Sequence, residues 1–170
     1  RVISAFIAAG VLAWVGWWAF KHVLWWTPAG QDIAYVVRGA AGVNETVLTL
    51  PQSYRRAPIT STEMSRLSRM AQTKLADYYT GSPLKFWRET AKRTLSVKNA
   101  GLWTIQWRVD WVHLGELTLL PGSATATASA EVRSDRGTIN RMDYRFRLVD
   151  TRAGWRVDQE DFNFQPGYGP

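Results

Sequence analysis

From Trp103 onwards apolar and polar residues alternate in four successive runs, and this two-residue period constrains the fold more than any other feature of the chain. Successive side chains of a β-strand point to opposite faces, so alternation predicts strands with one apolar and one polar side. In WTIQWRVDWVHLG, the odd positions are Trp103, Ile105, Trp107, Val109, Trp111 and His113, and the even ones include Arg108 and Asp110. Strand parity therefore predicts that three Trp and His113 share one face. SATATASAEVRS sets Ala124, Ala126, Ala128, Ala130 and Val132 against Ser, Thr, Glu131 and Arg133. RMDYRFRLV turns Met142, Tyr144, Phe146 and Leu148 inward, and a hairpin through Gly154 returns with Trp155 and Val157 inward and Arg156 and Asp158 outward. Large Trp facing small Ala fills a close-packed interior, so the Trp face reads as core. Trp107 is expected at its centre, surrounded by Ala126, Ala128, Leu67, Ala71 and Leu75.

Two helices precede the strands. Thr60 and Glu63 form a capping box, and Met64, Leu67, Ala71, Leu75 and Tyr78 follow at spacings of three and four, which predicts a helix from about Ser61 to Tyr79. Gly81 stops it. Ser82 and Pro83 suit the N-cap and first position of a second helix, whose buried stripe is Leu84, Trp87, Ala91 and Leu95. Helices followed by about four antiparallel strands describe an α+β domain with helices lying on a curved sheet.

The start of the chain is different in kind. VISAFIAAGVLAWVGWWAF, Val2 to Phe20, carries no charge, and about 20 apolar residues suffice to cross a bilayer, so a transmembrane helix is expected. Trp14, Trp17, Trp18, Trp25 and Trp26 crowd its far end as an aromatic belt would, in contact with membrane lipids. Trp14, Trp17 and Trp18 also share a helical face that suits a partner helix. A cleaved signal peptide competes with the anchor, but bulky Trp stands where small residues at a cleavage site are expected. Thr27 to Ile59, with Pro28, Gly30, Gly39, Gly42, Pro51 and Pro58, reads as a linker with one short strand at Thr46 to Leu50. The division is thus 1–26 anchor, 27–59 arm, 60–164 folded domain and 165–170 tail.

The phrases YYTGSPLKFW and YRFRLVDTRAGWRVDQED, with the order helix, Gly-Pro break, helix and long strands, resemble the nuclear transport factor 2-like (ketosteroid isomerase/SnoaL-like) superfamily over roughly residues 60–164. The resemblance implies a cone-shaped α+β domain; members include isomerase-like and dehydratase-like enzymes, small-molecule binders and non-catalytic assembly modules. One membrane helix, an arm and such a domain is similar in organisation to the bitopic scaffold proteins of bacterial conjugation and type IV secretion machines. That likeness implies an extracytoplasmic domain, other membrane-complex subunits as partners, and a homo-oligomer as one form of assembly. Fold analogy alone does not settle function.

Chemistry narrows the choice. The chain has no Cys and two His, which excludes thiolate sites and argues against a His-based metal centre. P-loop and nucleophile-elbow motifs are absent, and no cofactor is implied. The one acid-base pair that parity places inside the cone is His113 with Asp150, suited to proton abstraction beside a carbonyl. Asp150 also suits a hairpin turn, and His113 the end of its strand. The net charge of +7 points to an anionic partner. On the polar sheet face, Arg108, Arg133, Arg141, Arg145, Arg147 and Arg156 are interspersed with acids, which suits a salt-bridged or protein-docking face and argues against nucleic acid. The sequence reading is a membrane-anchored, non-enzymatic scaffold or accessory subunit. A small-molecule binder or isomerase is its alternative, and nucleic-acid binding stands third.

Overall fold

A computed structural model describes residues 2–50, 59–99 and 105–169, with side chains described outside 2–9, 20–21, 47–48 and 98–99. Trp103 and arm residues 51–58 lie outside the described residues. The helices are α1 (Val2–Val23), α2 (Pro28–Ala41), α3 (Val43–Leu48), α4 (Ser61–Tyr78) and α5 (Gly81–Asn99), with a 3₁₀ turn at Leu24–Trp26. Four strands follow: β1 (Trp107–Leu120), β2 (Ser123–Ser134), β3 (Ile139–Thr151) and β4 (Gly154–Phe164). They pair in sequence order, all antiparallel, as one sheet. Pro121 and Gly122 turn β1 into β2, with Gly122 at φ 71°, a left-handed conformation that costs glycine nothing.

Local signals account for α4. The Thr60 hydroxyl accepts from the Glu63 amide and the Glu63 carboxylate accepts from the Thr60 amide, which completes the capping box. Leu67, Leu75 and Tyr78 are its buried residues. Trp87, Ala91 and Leu95 of α5 are buried as their spacing predicts. The sheet's inner face supplies Ala124, Ala126, Ala128, Ala130, Val132, Met142, Tyr144, Phe146, Leu148 and Val157, all buried.

The expected transmembrane span is overturned. Among the described residues no helix is long and apolar enough to cross a membrane. The fold is α+β without the membrane helix, and the single-pass membrane localisation goes with it. The aromatic belt is broken as well. Trp25 is 6% exposed in the domain core, and its indole N–H donates to the Gly115 carbonyl at 2.9 Å.

The arm also differs from expectation. Pro28 to Ala41 is a helix, and Ile33, Ala34, Val36, Val37, Ala40 and Ala41 are buried in the same core as the sheet. Thr27 caps it by accepting from the Gly30 amide, and Pro28 opens its first turn. Thr46 and its neighbours form α3 in place of a strand, because the side chain of Glu45 and that of Thr49 bond to the backbone of Val109 and Trp107. Gly39 lets α2 reach α4: a Cβ there would stand 2.1 Å from the Tyr78 ring. The folded body therefore begins near Trp25.

Candidate functional site

Two interruptions of strand pairing decide which chemical groups face inward. Side chains alternate with period two, so one extra residue moves everything beyond it to the other face. In β4, Val157 lies opposite Leu148 but Gln159 lies opposite Arg147, so Asp158 is the extra residue. Beyond it Glu160, Phe162 and Phe164 join the inner rows of Phe146, Tyr144 and Met142. The Arg147 guanidinium grips both oxygens of Asp158 and holds the bulge from outside.

Glu160 thereby enters an apolar setting. The Trp87 indole N–H of α5 donates to its Oε2 at 3.1 Å, and its Oε1 is shielded without a hydrogen-bond partner among the described residues. Burial pushes the carboxyl above its ordinary range; Trp87 and Tyr79 oppose that shift, and neighbouring Asp161 adds to it. Tyr79 donates its hydroxyl to the Ala40 carbonyl at 3.1 Å and is held well above the usual phenol range by burial and by Glu160. Tyr144 is raised by the same two causes. Its ring lies 5.9 Å from that of Phe162, and Phe86 meets Trp87 edge-on at 5.3 Å. A cleft of about 520 Å³ opens beside these groups, between the start of α5 (Ser82, Pro83, Phe86, Trp87) and β4 (Glu160, Phe162). The phenols are raised, and each donates its hydroxyl, Tyr79 to Ala40 O and Tyr144 to Met142 Sδ. The arrangement is chemically suited to recognition by aromatic faces and a carboxyl.

The expected pair of His113 and Asp150 is not brought together. In β1, Val109 lies opposite Val132 and Trp111 opposite Glu131, so Asp110 is an extra residue. Trp107 and Val109 face inward before it, Val112 and Leu114 after it, while Trp111 and His113 turn outward opposite Glu131 and Ser129. A second irregularity between Leu114 and Leu117 restores Leu117 and Leu119 to the inner rows. His113 is exposed and stacks on Trp111 with ring centroids 4.5 Å apart. Asp150 is exposed at the end of β3, its amide bonded to Gly122 O at 3.0 Å. His113 shares a sheet row with Ser129 and Asp143, from which Asp150 is roughly 23 Å further along the strand. Trp107 likewise departs from expectation: it lies half-buried opposite Ser134 at the start of β1, with its backbone tied to Thr49, and not over Ala126 and Ala128.

The polar sheet face is a network of pairs. Asp110 binds Arg108 at 2.9 Å and Arg133 at 2.8 Å, Glu131 binds Arg141 at 2.6 Å, and Arg147 binds Asp158. The Arg133 hydrogen bond, ahead of Arg108, holds the Asp110 carboxyl below its usual range. Arg156 leaves this face to donate to Ala76 O of α4 at 2.6 Å. Arg145 and Arg156 are the two of the six that make no ion pair within 4 Å among the described residues. Among the described residues no cluster of three His, Cys, Asp or Glu is placed to hold a metal ion.

Trp14, Trp17, Trp18 and Trp26 are exposed, unlike Trp25. Sequence reasoning missed Glu160 altogether. Its parity in a regular strand is outward, and nothing in DQED marks Asp158 as the bulged residue; the available signal was Trp87, a buried indole needing an acceptor.

No family model matches the chain, and no curated protein matches it. Among solved structures it is similar to the intermembrane space region of the chloroplast protein ARC6, with 13% identity, a TM-score of 0.47, and coverage of 75% of this chain and 96% of that one. It is also similar to a de novo β-sheet design protein, with 17% identity, a TM-score of 0.37, and coverage of 80% and 95%. At these scores the likenesses carry no inference about what the chain does.

Proposed function

We propose that the chain is a non-catalytic domain that works as a subunit of a larger protein assembly and joins its neighbours through α1. The observation that carries this reading is the surface of that helix. Val11, Leu12, Trp14, Val15, Trp17 and Trp18 are between 46% and 72% exposed. Val11, Trp14, Val15 and Trp18 recur at helical spacings of three and four, a seam of the kind that packs on another helix. Among the described residues α1 touches its own domain only through the 3₁₀ turn and β1, so the seam stands clear of the core. Contiguous apolar surface of this kind marks an interaction site. A helix from another subunit, a second copy of this chain included, matches it in shape and chemistry.

The separation of His113 from Asp150 supports the non-enzymatic reading over the isomerase one, and the paired arginines of the outer face support it over nucleic acid. Among the nuclear transport factor 2-like domains that the sequence resembles, assembly modules occur.

Light scattering on the full chain, with cross-linking and mass spectrometry of co-purifying proteins, tests the proposal. The expected result is association that is lost when Trp14, Val15 and Trp18 are together changed to Ser. A wild-type chain that runs as a stable 19.3 kDa monomer with nothing bound overturns it.

A further inference from the structure

The cleft beside Glu160 runs along the last strand of the sheet. β4 ends the strand order, so its outer edge presents backbone N–H and C=O groups that β3 does not use. At the start of that edge Tyr79 pairs with Val157 in parallel, and the Thr80 amide donates to Val157 O at 2.9 Å. The pairing stops there, because Gly81 at φ 58° turns the chain away into α5. From Asp158 to Phe164 the edge has no strand partner among the described residues. Edge and cleft are contiguous: the cleft's walls are α5 on one side and residues 158–162 of β4 on the other.

Charge identifies the occupant. The chain carries +7 overall, yet this edge reads Asp158, Gln159, Glu160, Asp161. Asp158 is held by Arg147, which leaves Glu160 on the inner face and Asp161 on the outer. A second β4 strand paired against this one would bring like charges together, which argues against a symmetric edge dimer. An added strand bearing cations meets acid on both faces. On the inner face its side chains enter between Phe86 and Phe162, both exposed, beside Trp87, where aromatic faces attract ammonium and guanidinium groups. A cation next to Glu160 also favours the ionised carboxylate that burial disfavours.

We propose that the β4 edge binds an extended, Lys- or Arg-bearing segment of a partner protein as a fifth strand, with one basic side chain seated in the cleft against Glu160. Main-chain hydrogen bonds hold the segment and the cleft selects its side chain, the usual division of labour in strand addition. This deepens the reading of the domain as an assembly subunit, but it rests on a surface separate from α1.

The test is fluorescence anisotropy on the full chain with a labelled peptide of alternating Lys and Val. Two comparison peptides accompany it, one with Glu for Lys and one N-methylated at alternate amides, and unlabelled n-butylamine serves as the free-cation competitor. The expected result is saturable binding of the Lys peptide, weakened about tenfold or more by Glu160→Gln with Asp161→Asn. Phe86→Ala, at an exposed position, is expected to weaken it as well, and N-methylation to abolish it. The chain with Trp14, Val15 and Trp18 changed to Ser should bind the peptide as wild type does, so that failure of the α1 interface and failure of the edge site are read separately. Equal binding of the Glu peptide, indifference to the acid substitutions in a folded variant, or equal binding of the N-methylated peptide each overturns the proposal. Displacement by n-butylamine at concentrations equal to the peptide's also overturns it, because the strand edge would then contribute nothing.

Discussion

Trp87 on α5 donates its indole N–H to Oε2 of Glu160 on β4 at 3.1 Å, joining the second of two adjacent helices to the last strand of the sheet. The bond exists because Asp158 bulges out and turns Glu160 inward. Its carboxyl titrates above the ordinary value of 4.5 in the fold, so between the two values the folded state holds the proton more tightly than the unfolded chain. The stability this contributes is complete below pH 4.5 and is lost as the pH rises through the raised folded value. Glu160→Gln keeps an uncharged acceptor for Trp87 and does not titrate. Thermal melts from pH 4 to pH 8 should therefore show wild type losing melting temperature relative to Glu160→Gln as the pH rises; parallel curves would contradict a buried, raised carboxyl.

Trp25 and Trp26 are adjacent in sequence and opposite in consequence. Trp25 is 6% exposed and bonded to Gly115 O, whereas Trp26 is 81% exposed. Trp25→Ala should cost roughly 3 to 5 kcal/mol through lost burial and the cavity left behind, while Trp26→Ala stays within about 0.5 kcal/mol. Urea denaturation of the two variants measures both. Similar losses for the pair would mean that the 3₁₀ turn does not sort them as described.

At Gly39 α2 packs directly against the Tyr78 ring of α4. With the Tyr78 ring 2.1 Å from the place a Cβ would occupy, Gly39→Ala should destabilise by about 1 to 3 kcal/mol despite Ala being the better helix former. Gly10→Ala, with nothing within 4 Å, should instead raise stability by about 0.5 to 1 kcal/mol. The sign of the difference between the two in thermal melts decides the matter.

His113 faces out, stacked on Trp111. His113→Ala is expected to leave stability within about 0.5 kcal/mol and peptide binding at the β4 edge unchanged. A loss of binding would place His113 nearer the cleft than the β1 bulge allows.

Much of the architecture was legible locally. Thr60 with Glu63 starts α4 because a capping box satisfies orphan amides within four residues, with no help from the rest of the fold. The Ala and Met-Tyr-Phe-Leu faces of β2 and β3 match their parity because those strands pair through eleven regular rows. Reading failed where pairing was irregular: β1 and β4, the two edge strands, each gain an extra residue, so His113 turns out and Glu160 turns in. The Pro- and Gly-containing stretch after Thr27 read as a connector, although Thr27 and Pro28 are a cap and a first helical position, and its glycines are sites of close approach.

Helices with strong caps and strands with unbroken alternation are thus determined by the sequence alone, since each depends on neighbours within a turn or on a fixed two-residue period. Which face a group occupies beyond a bulge depends on how an edge strand twists to fit its partner and the helix above it. That fit involves residues as distant as Trp87 and Glu160, or Trp25 and Gly115. The inward turn of Glu160, the burial of Trp25 and the docking of α2 under the sheet were decided there, by packing and hydrogen-bond satisfaction across the whole domain.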